Sequence, residues 1–155
     1  MKGFKKVLIV GAVIGIIGGA FGAYQWFMPK RDVQETAIDY TITSKALVAE
    51  YLKDAAQANL KYLANDGDSK ILVVSGIIAS INKNQKNEDV ILLRDNNEGA
   101  GVICTFISDS TKTLSVKTGD IISVKGVIQS GASYDEDLEE YIDVNLNKAA
   151  INNVE

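Results

Sequence analysis

Hydrophobic and polar positions follow three patterns along the chain. Residues 7–28 contain no charged side chain. An apolar stretch of this length can cross a hydrocarbon core of about 30 Å as a helix that rises about 1.5 Å per residue. We therefore predict a transmembrane signal-anchor helix over residues 7–28. A basic cytoplasmic N-terminus at residues 1–6 precedes it, and a polar tether over residues 29–42 follows it.

A helical pattern begins after the tether. Thr43 or Ser44 can act as the N-cap, because a short hydroxyl side chain accepts a hydrogen bond from a free N–H group of the first turn. Apolar positions then recur at spacings of three and four residues, which predicts one amphipathic helix. These positions are Leu47, Tyr51, Ala55, Ala58 and Tyr62. The turn at residues 65–68 ends this helix, which we expect to cover one end of the domain.

The remaining residues are rich in β-branched side chains and predict strands. The predicted strands are residues 70–81, 89–93, 101–107, 121–129 and 141–146. Gly76 and Gly126 lie inside two of them, and a glycine within a strand marks a bulge or bend of the kind that a small barrel needs. The predicted fold is mainly β. It is a five-stranded OB-type Greek-key barrel with one N-terminal capping helix, over residues 43–150.

Charge divides the chain at the same place. Residues 1–31 carry a net charge of +5, whereas the remaining residues carry −9. Positive charge before an apolar helix favours a cytoplasmic N-terminus, so the barrel is predicted to be exported. The alternative is a cleavable signal peptide with its site at residues 20–22. The apolar stretch continues past that site to Trp26 and Phe27, which are typical of a membrane interface and favour an anchor.

Three glycines of the apolar stretch recur at intervals of four residues. Gly11, Gly15 and Gly19 would lie on one face of a helix and would let a second helix approach closely. This pattern predicts a homodimer that pairs through the membrane helix. The alternative is that these residues reflect only the high frequency of glycine in membrane helices.

The composition restricts the chemistry of the chain. The sequence has no histidine, which removes the commonest general base and the commonest metal ligand. The single cysteine, Cys104, lies in an apolar strand with no local group that would lower its pKa, so we expect it to pack in the core. The acidic loop at residues 130–140 lacks the spacing of an EF-hand calcium loop and is interpreted as solvated. We expect no catalytic residue, no metal and no cofactor.

Several short motifs occur in an order that resembles a known family. They are residues 47–53 (LVAEYLK), 58–59 (AN), 61–63 (KYL), 74–76 (VSG), 102–106 (VICTF), 117–120 (KTGD) and 124–126 (VKG). In this order they resemble the OB-fold family labelled tRNA_anti-like over about residues 36–150. The resemblance implies an OB barrel in an envelope protein of a Bacteroidetes-type bacterium, anchored in the inner membrane with its barrel in the periplasm. The family name also implies likeness to anticodon-binding barrels.

OB barrels bind ligands on the face of their second and third strands, flanked by the loops after the first and fourth strands. In this chain those loops are residues 82–88 and 130–140. Together with the end of the second strand they supply four candidate ligand-binding residues. These are Lys83, Lys86, Arg94 and Tyr134. The second loop also carries five acidic residues, which would repel a phosphate backbone.

The sequence therefore predicts a membrane-anchored, exported binding or scaffold module without enzymatic activity. Its expected partner is an envelope protein, a glycan or a small ligand. The alternative is an OB domain that binds single-stranded DNA or RNA, which the acidic charge of the barrel disfavours.

Overall fold

The computed structural model describes residues 32–64, 68–95, 99–107 and 115–154. The predictions for the basic N-terminus, for the membrane helix at residues 7–28 and for the Gly11, Gly15 and Gly19 face lie outside the described residues. Within the described part of the chain, no helix is long and apolar enough to span a membrane.

The described residues form two helices and eight strands. In chain order these are β1 (Tyr40–Thr43), α1 (Ser44–Lys53), α2 (Ala55–Tyr62), β2 (Ile71–Lys83), β3 (Asp89–Leu93), β4 (Val102–Phe106), β5 (Ile121–Ser130), β6 (Ser133–Asp135), β7 (Glu140–Ile142) and β8 (Val144–Val154). The four strands β2 to β5 end within two residues of their predicted limits.

Five of the strands close a barrel. β2 pairs with β3, β3 with β4, β4 with β8 and β8 with β5, and β5 pairs with β2 again. These pairings are antiparallel except the one between β4 and β8, which is parallel. This is the strand order of an OB barrel, so the prediction of a mainly β domain with an OB-like barrel is confirmed.

The prediction of one capping helix was wrong, because the helical run is broken into α1 and α2. Thr43 is the N-cap of α1, and its Oγ1 accepts a hydrogen bond from the Ala46 N–H at 3.2 Å. The break lies at Asp54, whose N–H donates to the Glu50 carbonyl and whose carboxylate accepts from the Gln57 N–H at 3.0 Å. Aspartate is a strong N-cap residue, so Asp54 starts a new helix where the apolar spacing alone suggests continuation.

The fifth predicted strand, residues 141–146, was placed incorrectly. Glu140–Ile142 (β7) pairs with β6 in a separate hairpin, and the barrel strand β8 begins at Val144. Asp143 lies between the two strands, and its carboxylate accepts a hydrogen bond from the Gly101 N–H at 2.6 Å. The second half of β8 was missed because asparagine and alanine replace β-branched residues there, and Lys148 has a φ of 50°.

The described part of the predicted tether, residues 32–42, lies on the barrel. Val33 is buried, and the Gln34 side-chain amide donates to the Lys148 carbonyl at 2.8 Å. The Lys125 ammonium donates in return to the carbonyls of Gln34 and Thr36, at 2.8 and 2.7 Å. β1 then adds a parallel strand beside β2. A polar sequence that looks like a linker is therefore held by its backbone carbonyls.

α1 packs on the end of the barrel that contains the β3–β4 loop and the residues after β5. The Tyr51 ring lies against Gly131, where a Cβ atom would overlap the ring carbons. Ser44 lies against Gly76 in the same way, so the glycine inside β2 allows a helix contact rather than a bulge. Gly126 lies at a register shift between β5 and β8, as predicted.

The barrel interior and the inner face of the helices form one hydrophobic core. The large residues at its centre include Leu47, Tyr51, Tyr62, Leu72, Ile91, Phe106 and Leu146. Cys104 is 0% exposed, and burial raises the pKa of its thiol far above the ordinary value. The predicted core position of this cysteine is confirmed. Ala55, predicted on the inner face, is exposed at the start of α2.

We expect Gly131→Ala to destabilise the domain by about 2 kcal/mol or more, because the added methyl group must displace the Tyr51 ring from the core. Urea denaturation of the full chain measures this change. Ser130→Ala, at the exposed neighbouring position, is the control and should alter the free energy of unfolding by less than about 0.5 kcal/mol. Equal midpoints for the two variants would show that α1 does not dock through this contact.

Tyr51→Phe and Tyr62→Phe should have opposite effects on stability. The Tyr51 hydroxyl is buried without a hydrogen-bond partner among the described residues, and burial raises its pKa to about 12. Its removal should stabilise the fold by about 1 kcal/mol. The Tyr62 hydroxyl donates to Glu50 at 2.8 Å, so its removal should cost about 1 kcal/mol. Thermal and urea unfolding of both variants test this; destabilisation by Tyr51→Phe would contradict it.

Candidate functional site

The structure separates the four predicted ligand-binding residues into two groups. Lys83 pairs in register with Asp89, the first residue of β3, whereas Arg94 follows Leu93, the last residue of that strand. A strand of five residues spans about 17 Å. Lys83 and Lys86 therefore lie at one end of β3, and Arg94 lies at the other.

Lys83 and Lys86 border an open, polar groove of ≈ 590 Å³. The Lys83 ammonium forms an ion pair with Asp89 at 2.9 Å, while Lys86 is exposed in the turn after β2. Asn84 organises this turn, because its Oδ1 accepts hydrogen bonds from the N–H groups of Lys86 and Glu88 at 2.9 and 3.0 Å. No aromatic side chain lines the groove among the described residues, so it offers hydrogen bonds but no stacking surface.

Arg94 lines a second, more enclosed site, which we term the helix–barrel cleft. It lies between α1 and the β3–β4 loop and has a volume of ≈ 240 Å³. Its apolar walls include Val48, Ala49 and Leu52 of α1, with Leu93 at the end of β3 and Tyr141 of β7. Leu52 is 45% exposed and Tyr141 is 47% exposed, so apolar surface remains available to a ligand in this cleft.

The guanidinium group of Arg94 is held in place by one carboxylate, that of Asp143. Its Nη2 contacts the Asp143 carboxylate at 3.2 Å, and the same carboxylate oxygen accepts the Gly101 N–H. The Arg94 backbone N–H donates to the Ile77 carbonyl at 2.9 Å. Its Nε is buried and has no hydrogen-bond partner within the described residues. Arg94 is therefore a fixed cation that can meet a ligand in the cleft through its terminal nitrogens and not through Nε.

Two further charged residues lie in the cleft. Lys45 is exposed in the first turn of α1 and forms no ion pair with another described residue. Asp95 accepts a hydrogen bond from the Ser44 hydroxyl at 3.3 Å. Ser44 itself is 2% exposed, so its hydroxyl supports the β3–β4 loop and is not available as a nucleophile. The described residues contain no cluster of three or more groups that could hold a metal ion.

Tyr134, in the predicted loop after β5, lies next to the cleft. Its ring packs against that of Tyr141, with the centroids 4.9 Å apart and an interplanar angle of 59°. The structure thus brings Arg94 and the Tyr134–Tyr141 pair to the same end of the barrel. Sequence reasoning missed Lys45, Leu52 and Tyr141, because it assigned Tyr141 to a barrel strand and the other two to the capping helix. No signal in the sequence marked these residues, because the exposure of Leu52 is evident only in the structure.

The cleft can bind a small ligand or a partner's side chain by apolar contact and by charge-assisted hydrogen bonds from Arg94. The hydroxyl–carboxylate pair of the cleft, Ser44 with Asp95, is buried at the serine, which is 2% exposed.

Comparison with known proteins agrees with the fold. A search of the curated proteins finds no match. The tRNA_anti-like family model matches residues 1–137, which is most of the chain and includes the helices, four barrel strands and β6. The chain therefore belongs to the tRNA_anti-like family, whose OB-type barrel its described residues form.

Proposed function

We propose that this protein is a binding module without enzymatic activity, anchored in a bacterial inner membrane by residues 7–28 with its OB barrel in the periplasm. Its ligand is an envelope protein, a glycan or a small molecule, and it binds in the helix–barrel cleft. The observation that carries this proposal is the fixed Arg94 guanidinium in a cleft whose surface is mostly apolar.

The geometry favours the cleft over the groove at Lys83 and Lys86 as the binding site. The cleft combines apolar walls with one oriented charge, which is the usual composition of a ligand site. The groove is open and polar, and Lys83 is already paired with Asp89. A site that offers only solvated polar groups gains little free energy when it binds a ligand, since each hydrogen bond replaces one to water.

The absence of histidine in the sequence and the buried, protonated Cys104 support a role without catalysis. The net charge of −9 after residue 31 supports a ligand other than a nucleic acid. Family membership supports the second candidate, a domain that binds single-stranded DNA or RNA, because the family name refers to anticodon-binding barrels. In that case Lys83 and Lys86 would contact the phosphate backbone.

Site-specific photocrosslinking tests the position of the binding site. We place p-benzoylphenylalanine at position 52, in the wall of the cleft, or at position 60, where Leu60 is 82% exposed outside the cleft. The full chain is irradiated in the cells that produce it, and adducts are identified by mass. We expect a defined adduct at position 52 that is absent at position 60 and weaker with Arg94→Lys. The same adducts at both positions would refute the cleft as the site.

Filter binding of single-stranded RNA and DNA to the full chain tests the second candidate. We expect no micromolar affinity at about 50 mM salt, where phosphate contacts are strongest. Micromolar binding that weakens steeply at about 200 mM salt, and that Lys83→Ala with Lys86→Ala abolishes, would favour the nucleic-acid function instead. Lys53→Ala, an exposed lysine outside the groove, is the matched control.

A further inference from the structure

We infer that the helix–barrel cleft selects a ligand that carries a carboxylate next to a single apolar group. This inference rests on the proposed function, because it takes the cleft as the binding site. It assigns Arg94 and Lys45 to the carboxylate, and the α1 side chains with Leu93 to the apolar group.

The first step of the argument is the incomplete pairing of Arg94. An arginine often pairs with a carboxylate through two parallel N–H···O bonds, one to each carboxylate oxygen. Arg94 forms one contact with Asp143, through Nη2 at 3.2 Å, and the same oxygen of Asp143 is shared with the Gly101 N–H. Nη1 has no partner among the described residues, so the terminal nitrogens can still donate to a ligand, whereas Nε is buried and out of its reach. Asp143 therefore positions the guanidinium group but leaves some of its N–H donors able to bind an anion.

The second step is the charge around the cleft. Lys45 adds a second cation on the opposite wall, and it makes no ion pair with another described side chain. Asp95 adds one negative charge beside Arg94. A carboxylate gains charge-assisted hydrogen bonds from the two cations. Lys45 and Arg94 are balanced by Asp95 and by Asp143, which contacts Arg94, so a second negative charge on the ligand gains no net attraction and costs more to remove from water. The cleft therefore favours a singly charged carboxylate over a phosphate.

The third step is the size and polarity of the remaining space. A volume of ≈ 240 Å³ lies below the range of about 300–1,000 Å³ that encloses drug-sized ligands. It accommodates a carboxylate and one large aliphatic or aromatic side chain. Val48, Leu52 and Leu93 line this space, and Leu52 loses exposed surface when the space is filled. Two kinds of ligand have this chemistry, in which a free carboxylate lies next to an apolar group: a peptide with an apolar C-terminal residue, and a free small acid.

Titration of the full chain in detergent micelles, followed by amide NMR shifts, tests this selectivity. The probes are N-acetylleucine and N-acetylleucinamide, which differ only in the carboxylate. We expect N-acetylleucine to bind at least about tenfold more tightly, with shifts at Ala49, Leu52 and Gly101. Lys45→Gln and Arg94→Lys should each reduce this ratio several-fold. Lys53→Gln, on the same helix but outside the cleft, should leave it unchanged.

A tripeptide that ends in leucine identifies the source of the carboxylate. Tighter binding of the tripeptide than of N-acetylleucine supports the inference with a peptide C-terminus as the ligand, and the reverse order supports it with a free acid. Equal affinity for N-acetylleucine and its amide, with shifts in the cleft, would overturn carboxylate selectivity but leave the cleft as the binding site. Absence of shifts in the cleft with every probe would overturn both.

Discussion

The Asp143 carboxylate holds together the parts of the structure on which the candidate site depends. It accepts the Gly101 N–H at 2.6 Å and contacts Arg94 at 3.2 Å, so it joins the β3–β4 loop to the junction between β7 and β8. The Val144 N–H donates to the Gly101 carbonyl at 3.0 Å on the same junction. These contacts begin the parallel β4–β8 pairing that closes the barrel, and they also fix the guanidinium group. The Asp143 carboxylate therefore contributes both to closure of the barrel and to the orientation of the Arg94 guanidinium group.

The first helix, α1, forms the cleft at this end of the barrel. α1 approaches closely because Gly131 and Gly76 leave room for Tyr51 and Ser44. Only the inner face of α1 packs on the barrel. Leu52 therefore does not pack on the β3–β4 loop, and the space between them is the cleft. The hairpin of β6 and β7 adds Tyr141 at the edge. The cleft is thus a consequence of capping the barrel with a helix that precedes it in the chain.

Membership of the tRNA_anti-like family establishes the type of barrel, and the proposed function depends on what this chain adds to it. The domain is acidic overall, yet the helix–barrel cleft contains a fixed arginine and an exposed lysine. A local cation in an acidic domain is a means of selecting a small anion over a polyanion, because the wider field repels the latter. The proposed carboxylate ligand fits this distribution of charge.

The sequence by itself determined the features that depend on neighbouring residues. Richness in β-branched residues located β2 to β5, a cap at Thr43 or Ser44 located the start of α1, and the apolar surroundings of Cys104 placed it in the core. Only the tertiary structure decided the helix break at Asp54, the extent of β8 and the site itself. Lys45, Arg94 and Tyr141 are far apart in the chain, and they meet because helix docking and barrel closure bring them together. Periodicity records the environment of each segment, whereas a cleft depends on which segments pack against each other.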